Sequence, residues 1–178
     1  MSGPATQSER TRSQRTRSQR TQPEREIVVG VISDTHGLMR PQALAALQGC
    51  DLIIHAGDVG TTDVIKELSG IAPTHVVRGN IDQGDWAAGL PMCELVEAGE
   101  RLFFVLHEIS QLDLDPAHAG FAAVVFGHSH QPSIETREGV LFLNPGSAGP
   151  RRFKLPVTVA RVGVSGQGLR PQIVDLDV

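Results

Sequence analysis

The chain has 178 residues, 40% of them hydrophobic, enough for one domain with its own core and short for two. No apolar run reaches the roughly 18 residues of a membrane span. The first residues lack the basic, apolar, small-residue order of a secretory signal, so a cytoplasmic protein with no membrane partner is expected.

The formal charge of −4 conceals a split. Residues 1–25 carry six arginines against Glu9 and Glu24, a net +4, which leaves −8 on the rest. This segment repeats TRSQR at 11–15 and 16–20 and has almost no apolar content. It cannot bury enough surface to offset its ordering entropy, so a disordered basic tail over 1–25 is expected ahead of a folded domain over 26–178. Arginines neutralise phosphates whatever the sequence, so contact with nucleic acid is a second use for the arm. With one Trp, six Phe and no Tyr, the chain offers little material for a single-strand stacking platform. Cys50 and Cys93 follow no metal-binding spacing and lie in apolar stretches, where reduced, buried thiols are expected.

From Glu26 the pattern changes. Ile27–Ile32 is a continuous β-branched run, as in a strand buried on both faces, and it ends at Ser33-Asp34. Pro41–Leu47 reads as a short helix with Pro in its first turn. Leu52–Ala56 is a second buried strand stopped at Gly57-Asp58. A helix capped by Thr61 or Thr62 runs through Leu68, and a third strand, Thr74–Val77, stops at Gly79-Asn80. Strand, helix, strand, helix, strand implies a mostly parallel sheet.

The second half is dominated by strands. Met92–Val96 and Arg101–Leu106 flank a hairpin signal at Gly99-Glu100. Asp115–Gly120 reads as a short helix or turn and Ala123–Phe126 as a buried strand. Ser133–Thr136 pairs with Val140–Asn144 around Gly139, and Thr158–Val164 with Leu169–Asp175 around Ser165-Gly166. The expected architecture is α/β: two mixed sheets packed face to face, with helices on the outer faces.

The buried strands run into polar residues that can bind a metal: Asp34 and His36, Asp58, Asn80, His107, then His128 and His130. Ligands gather at the carboxyl ends of strands in α/β sheets, because loops converge on one rim there. Two carboxylates, an amide oxygen and four imidazoles suit Mn, Zn, Fe, Co or Ni better than Ca or Mg alone. Seven donors exceed one tetrahedral site but fit two ions sharing a carboxylate, and no thiolate is among them, which excludes a structural Cys-type zinc site. Asp82 can orient a ligand or cap its loop. Asn144 and Ser147 are expected to line the rim, and Arg151 and Arg152 can meet a substrate phosphate. His55, inside a buried strand, is expected to be a hydrogen-bonded core histidine, and Trp86 is open between wall, interface and packing.

DTH at 34–36, GD at 57–58, GN at 79–80, the strand-ending His107, GHSH at 127–130 and NPGS at 144–147 together resemble the calcineurin-like metallophosphoesterase superfamily, in its small prokaryotic phosphodiesterase branch. The resemblance covers residues 27–149. It implies that Asp34, His36, Asp58 and His130 hold one metal and that Asp58, Asn80, His107 and His128 hold a second, with Asp58 shared. It also implies a homodimer. Two positions depart from the family pattern. Ile81 stands where larger members carry a His that assists the leaving group, and Glu108 where Gly is usual.

The expected function is a phosphodiesterase using two divalent ions, Mn first and Ni, Zn, Fe, Co or Mg as alternatives. Ions about 3.5–4 Å apart lower the pKa of a bridging water, and the resulting hydroxide attacks a small phosphodiester. Asp58 and Asn80 are the expected catalytic ligands. The alternatives are a catalytically weak metal-binding scaffold for other proteins, and a nuclease or nucleic-acid binder that uses the Arg-rich tail.

Overall fold

The computed structural model describes residues 25–178, so the expectations for the basic tail lie almost wholly outside the described residues. Ten strands form two five-stranded sheets. One contains β1 (Ile27–Ile32), β2 (Leu52–His55), β3 (Thr74–Val76), β9 (Thr158–Ser165) and β10 (Gly168–Asp175), in the order β10-β9-β1-β2-β3. The other contains β4 (Cys93–Ala98), β5 (Arg101–Leu106), β6 (Ala123–Val125), β7 (Ser133–Arg137) and β8 (Val140–Asn144), in the order β4-β5-β6-β8-β7. Both sheets are mixed: β1-β2-β3 and β5-β6-β8 are parallel, and the remaining pairs are antiparallel.

Alternation along the strands divides the core. Val29, Val31, Leu52 and Ile54 face Phe103, Val105, Ala123, Val125, Leu141 and Leu143 across the two sheets. The opposite side chains of the first sheet, Ile32, Ile53 and Val159, pack under α1 (Pro41–Leu47) and α2 (Thr62–Ser69) through Ala43, Leu47, Val64 and Leu68. Trp86 joins this layer, so its role is packing. Thr61 sits at the α2 N-terminus without making a side-chain cap.

The expected helical cover is found on this face only. The outer face of the second sheet, Leu106, Val124, Val140 and Phe142, lies under a 3-10 turn at Ile109–Gln111 and the loop after it. Asp115–Gly120 is a turn whose Asp115 carboxylate accepts the Ala117 and His118 amides. Cys50 is buried as expected, but Cys93 is exposed because β4 is an edge strand. No helix among the described residues is long and apolar enough to cross a membrane.

This topology sorts the loops. The hairpin turns β4-β5, β7-β8 and β9-β10 all lie at one rim, while β1, β2, β3, β5 and β6 all point their carboxyl ends at the other.

Candidate metal centre

The seven residues expected as ligands converge at the second rim. His36 Nε2 lies 3.3 Å from His130 Nε2, and His130 Nε2 lies 3.2 Å from Asp34 Oδ1. On the other side, Asn80 Oδ1 is 3.0 Å from both His107 Nε2 and His128 Nδ1. Asp58 sits between the two groups, with Oδ2 3.8 Å from His36 Nε2 and Oδ1 3.3 Å from His107 Nε2. Two sets of donor atoms lie within 4.8 Å of one another, Asp34-His36-His130 and Asp34-Asp58-His107.

Backbone geometry bears the cost of this convergence. Asp34, His36, Asp58, His128 and His130 all have positive φ, between 48° and 69°. That region disfavours any side chain with a Cβ, and strain of this kind concentrates at functional sites. Gly79 and Gly127, which precede Asn80 and His128, are required for a different reason. A Cβ on Gly79 would fall 2.1 Å from the Asp58 backbone nitrogen, and one on Gly127 would fall 2.0 Å from Ser33 Oγ. The Gly-Asn and Gly-His pairs thus allow one ligand loop to press against another.

Hydrogen bonds then aim the side chains. Ser33 Oγ donates to Asp34 Oδ2 at 2.6 Å and the His128 amide donates to the same oxygen at 3.1 Å. Asp34 Oδ1 is left wholly buried with no hydrogen-bond partner, as is His130 Nδ1. His107 Nδ1 lies 2.7 Å from the Ala56 carbonyl, so Nδ1 carries the hydrogen. Nε2 therefore points at two oxygen acceptors, Asp58 Oδ1 and Asn80 Oδ1. Such an arrangement needs either a proton or a cation on the nitrogen, and a ring nitrogen held by a carbonyl on its far side is the usual state of a metal-binding histidine. The residues fit a metal.

Protonation follows the same contacts. Burial works against the imidazolium of His107, but the Asp58 carboxylate and the Ala56 carbonyl outweigh it and raise its pKa above the usual value. Burial pushes the Asp58 carboxyl up, yet the hydrogen bonds from His107 and the Ile81 amide hold it below the usual carboxylate range. Burial lowers His36; Asp58 opposes this and Arg152 adds to it.

The supporting residues divide clearly. Asp82 accepts the Val59, Gly60 and Gly79 amides at 3.1, 2.8 and 2.9 Å, so it caps the β2 and β3 loops and ligates nothing. Asn144 and Ser147 do not line the rim; they are buried behind it. The Asn144 amide donates to the Gly127 carbonyl at 2.8 Å and Ser147 Oγ to the Asp34 carbonyl at 2.9 Å, which fixes the loops that carry the ligands.

His55 is the expected core histidine. Its Nδ1 accepts the Gly57 amide, so Nε2–H donates to Thr35 Oγ1 at 2.9 Å, and Thr35 passes a hydrogen bond to the Val59 carbonyl. Burial lowers its pKa to about 4. Glu108 is turned toward Ser110 and Gln111, both of which donate to it. Arg151 is not at the site: its guanidinium meets the Val178 carbonyl. Its neighbour Arg152 reaches His36 Nε2 at 3.3 Å. Sequence reasoning missed Ser33, whose only signal is its place immediately before Asp34.

Residues 27–167 match the calcineurin-like phosphoesterase superfamily domain. A probable metallophosphoesterase of Methanothermobacter thermautotrophicus is 32% identical over 160 residues, covering 83% of this chain and 92% of the relative. A phosphodiesterase of Methanocaldococcus jannaschii is 26% identical over 137 residues, covering 66% and 82%. Among solved structures, a predicted phosphoesterase of Streptococcus pneumoniae superposes with a TM-score of 0.69 at 25% identity, covering 86% of this chain and 91% of its own. Vacuolar protein sorting 29 of Cryptosporidium parvum has the same fold, with a TM-score of 0.68 at 17% identity over 84% and 97% of the two chains.

Proposed function

The chain belongs to the calcineurin-like phosphoesterase superfamily, and from that premise we propose that it is a phosphodiesterase working with two divalent ions, manganese first among them. The observation that carries this reading is the orphaned donor set: a buried Asp34 oxygen with no hydrogen bond and a His107 nitrogen facing two acceptors. A carboxylate oxygen at zero exposure that receives no hydrogen bond, though His130 Nε2 stands 3.2 Å away, is costly unless a cation completes it.

Asp34, His36, Asp58 and His130 would hold one ion, and Asp58, Asn80, His107 and His128 the other. Asp34 falls in both close donor groups, but the hydrogen bonds favour Asp58 as the shared carboxylate. Asp58 directs one oxygen at each side, whereas Asp34 Oδ2 is occupied by Ser33 and the His128 amide. When bound, the ions would supply an activated water and offset the negative charge of the phosphate.

The chain's own residues do the remainder. The Ala56 carbonyl keeps His107 Nε2 free to act as an acceptor, and Ser33 aims Asp34. Asp82 holds the two loops bearing Asp58 and Asn80 at a fixed separation. The side chain after Asn80 is Ile81, 39% exposed and without a proton to give. Diesters with good leaving groups are therefore the expected substrates, in keeping with the name of the Methanocaldococcus relative, and alkyl monoesters such as serine phosphate should turn over more slowly.

The test is hydrolysis of bis(p-nitrophenyl) phosphate after chelator stripping and return of Mn, Ni, Zn, Fe, Co or Mg. Turnover that depends on added metal supports the reading. Metal binding at these residues without turnover of any mono- or diester would make the chain a metal-holding scaffold, the second use of this fold. Absence of metal binding would remove both.

A further inference from the structure

The loop at 150–155 has two features the metal chemistry does not use. Arg152 places its guanidinium 3.3 Å from His36 Nε2, at the mouth of the site. Phe153 is 94% exposed, the most exposed of the large hydrophobic residues described, and has a φ of +53°. The Leu155 amide donates to the Arg152 carbonyl at 3.1 Å, which makes Phe153 and Lys154 the centre of a β-turn. Only the first of these two central residues has positive φ, and glycine is favoured at that place in such turns. Phe153 therefore carries backbone strain and forgoes the burial an aromatic ring would otherwise gain, and nothing in the fold benefits from either.

The base of the loop is held against the ligand-bearing strand. Ser147 Oγ and the Ala148 amide bond the Asp34 and Ser33 carbonyls, and Arg40 bonds the Gly149 carbonyl at 3.2 Å. The turn is thus fixed beside His36. Leu38 and Ile81, on the loops that follow His36 and Asn80, are each 39% exposed and give the same rim apolar surface.

Resting on the phosphodiesterase reading above, we propose that this loop selects the substrate: Arg152 takes a phosphate oxygen while the Phe153 ring stacks on a flat aromatic arm of the diester, such as a nucleobase. A guanidinium and a ring on adjacent residues match the charged and flat ends of such an ester. The guanidinium would serve any phosphate ester, but the exposed ring is not explained by a purely aliphatic one.

Calorimetric titration tests this without turnover. Thymidine 5′-phosphate and deoxyribose 5-phosphate differ only by the base. The manganese-loaded protein should bind the first about tenfold tighter, a preference at the low end of what one base stacked on an aromatic contributes. Phe153→Gly, which suits the turn and keeps the fold, should bring the two affinities together, and Phe153→Ala should do the same. Arg152→Ala should weaken both ligands alike, with Arg152→Lys recovering part. A base preference absent from the wild type, or unchanged in Phe153→Gly, overturns the proposal. If the preference holds while bis(p-nitrophenyl) phosphate is not hydrolysed, the catalytic reading falls and the recognition loop stands.

Discussion

The two rims of the sandwich meet the same backbone demand in different proportions. At the hairpin rim the chain must reverse tightly, and it places glycine at positive φ at Gly99, Gly139 and Gly168, with Glu138 at 50° the one residue with a Cβ there among the described residues. At the other rim the chain must also turn out of its strands, yet five positive-φ positions hold Asp or His. A side chain with a Cβ costs roughly 1–2 kcal/mol in that region. The hairpin rim bears the cost once, at Glu138, and the other rim bears it five times at residues proposed to hold a metal. Strain that glycine would remove is clustered at Asp34, His36, Asp58, His128 and His130, five positions against one, and that clustering sets this rim apart from the connecting one.

The largest effect expected from this contrast is at Asp58. Asp58→Ala removes the carboxylate proposed to serve both ions, with one oxygen toward His36 and the other toward His107, so hydrolysis should fall to background and metal stoichiometry, read by elemental analysis, should drop by at least one ion per chain. Full activity in this variant would erase the distinction between the rims.

Next is the pH response of His55, buried behind the ligand loops and neutral in the fold, with its pKa lowered to about 4 from 6.5. As pH falls below 6.5 the unfolded chain takes up the proton first, so the folded state loses stability progressively down to about pH 4 and no further through this group. The loss reaches roughly 3 kcal/mol at most. Urea unfolding of metal-free protein should show this slope, and His55→Gln should flatten it; an equal slope in both would mean that His55 is not held neutral. Smaller again is Ser33→Ala. It frees Asp34 Oδ2 from its 2.6 Å donor without touching a ligand, so metal affinity should fall about 10–100-fold while the fold persists.

The ligand rim was the more legible of the two regions. A buried strand needs a continuous apolar run, so a polar residue at its end stands out, and Asp34, Asp58, Asn80, His107 and the two loop histidines could be named from that contrast alone. What holds them could not. Ser147 and Asn144 act on loops 113 and 17 residues away, through the Asp34 and Gly127 carbonyls, and backbone partners carry no sequence signature. Arg151 and Arg152 are identical neighbours. Only the turn at Arg152–Leu155 decides that one meets Val178 and the other His36. The exposure of Cys93 depends on which strand ends the second sheet, a matter of sheet order that local pattern does not encode.

The smallest expected effect probes the hairpin rim directly. Gly139 has a φ of +82°, and a Cβ there would meet no atom within 4 Å. Gly139→Ala therefore isolates backbone strain from any steric clash, and should cost about 1 kcal/mol. For a chain of this size that lowers the melting temperature by about 2–4 °C. The turn lies at the rim opposite the metal centre, so kcat and KM for bis(p-nitrophenyl) phosphate should not change. A melting temperature unaffected by the substitution would mean that positive φ carries no measurable cost in this fold. The strained Asp and His residues at the other rim would then no longer mark function.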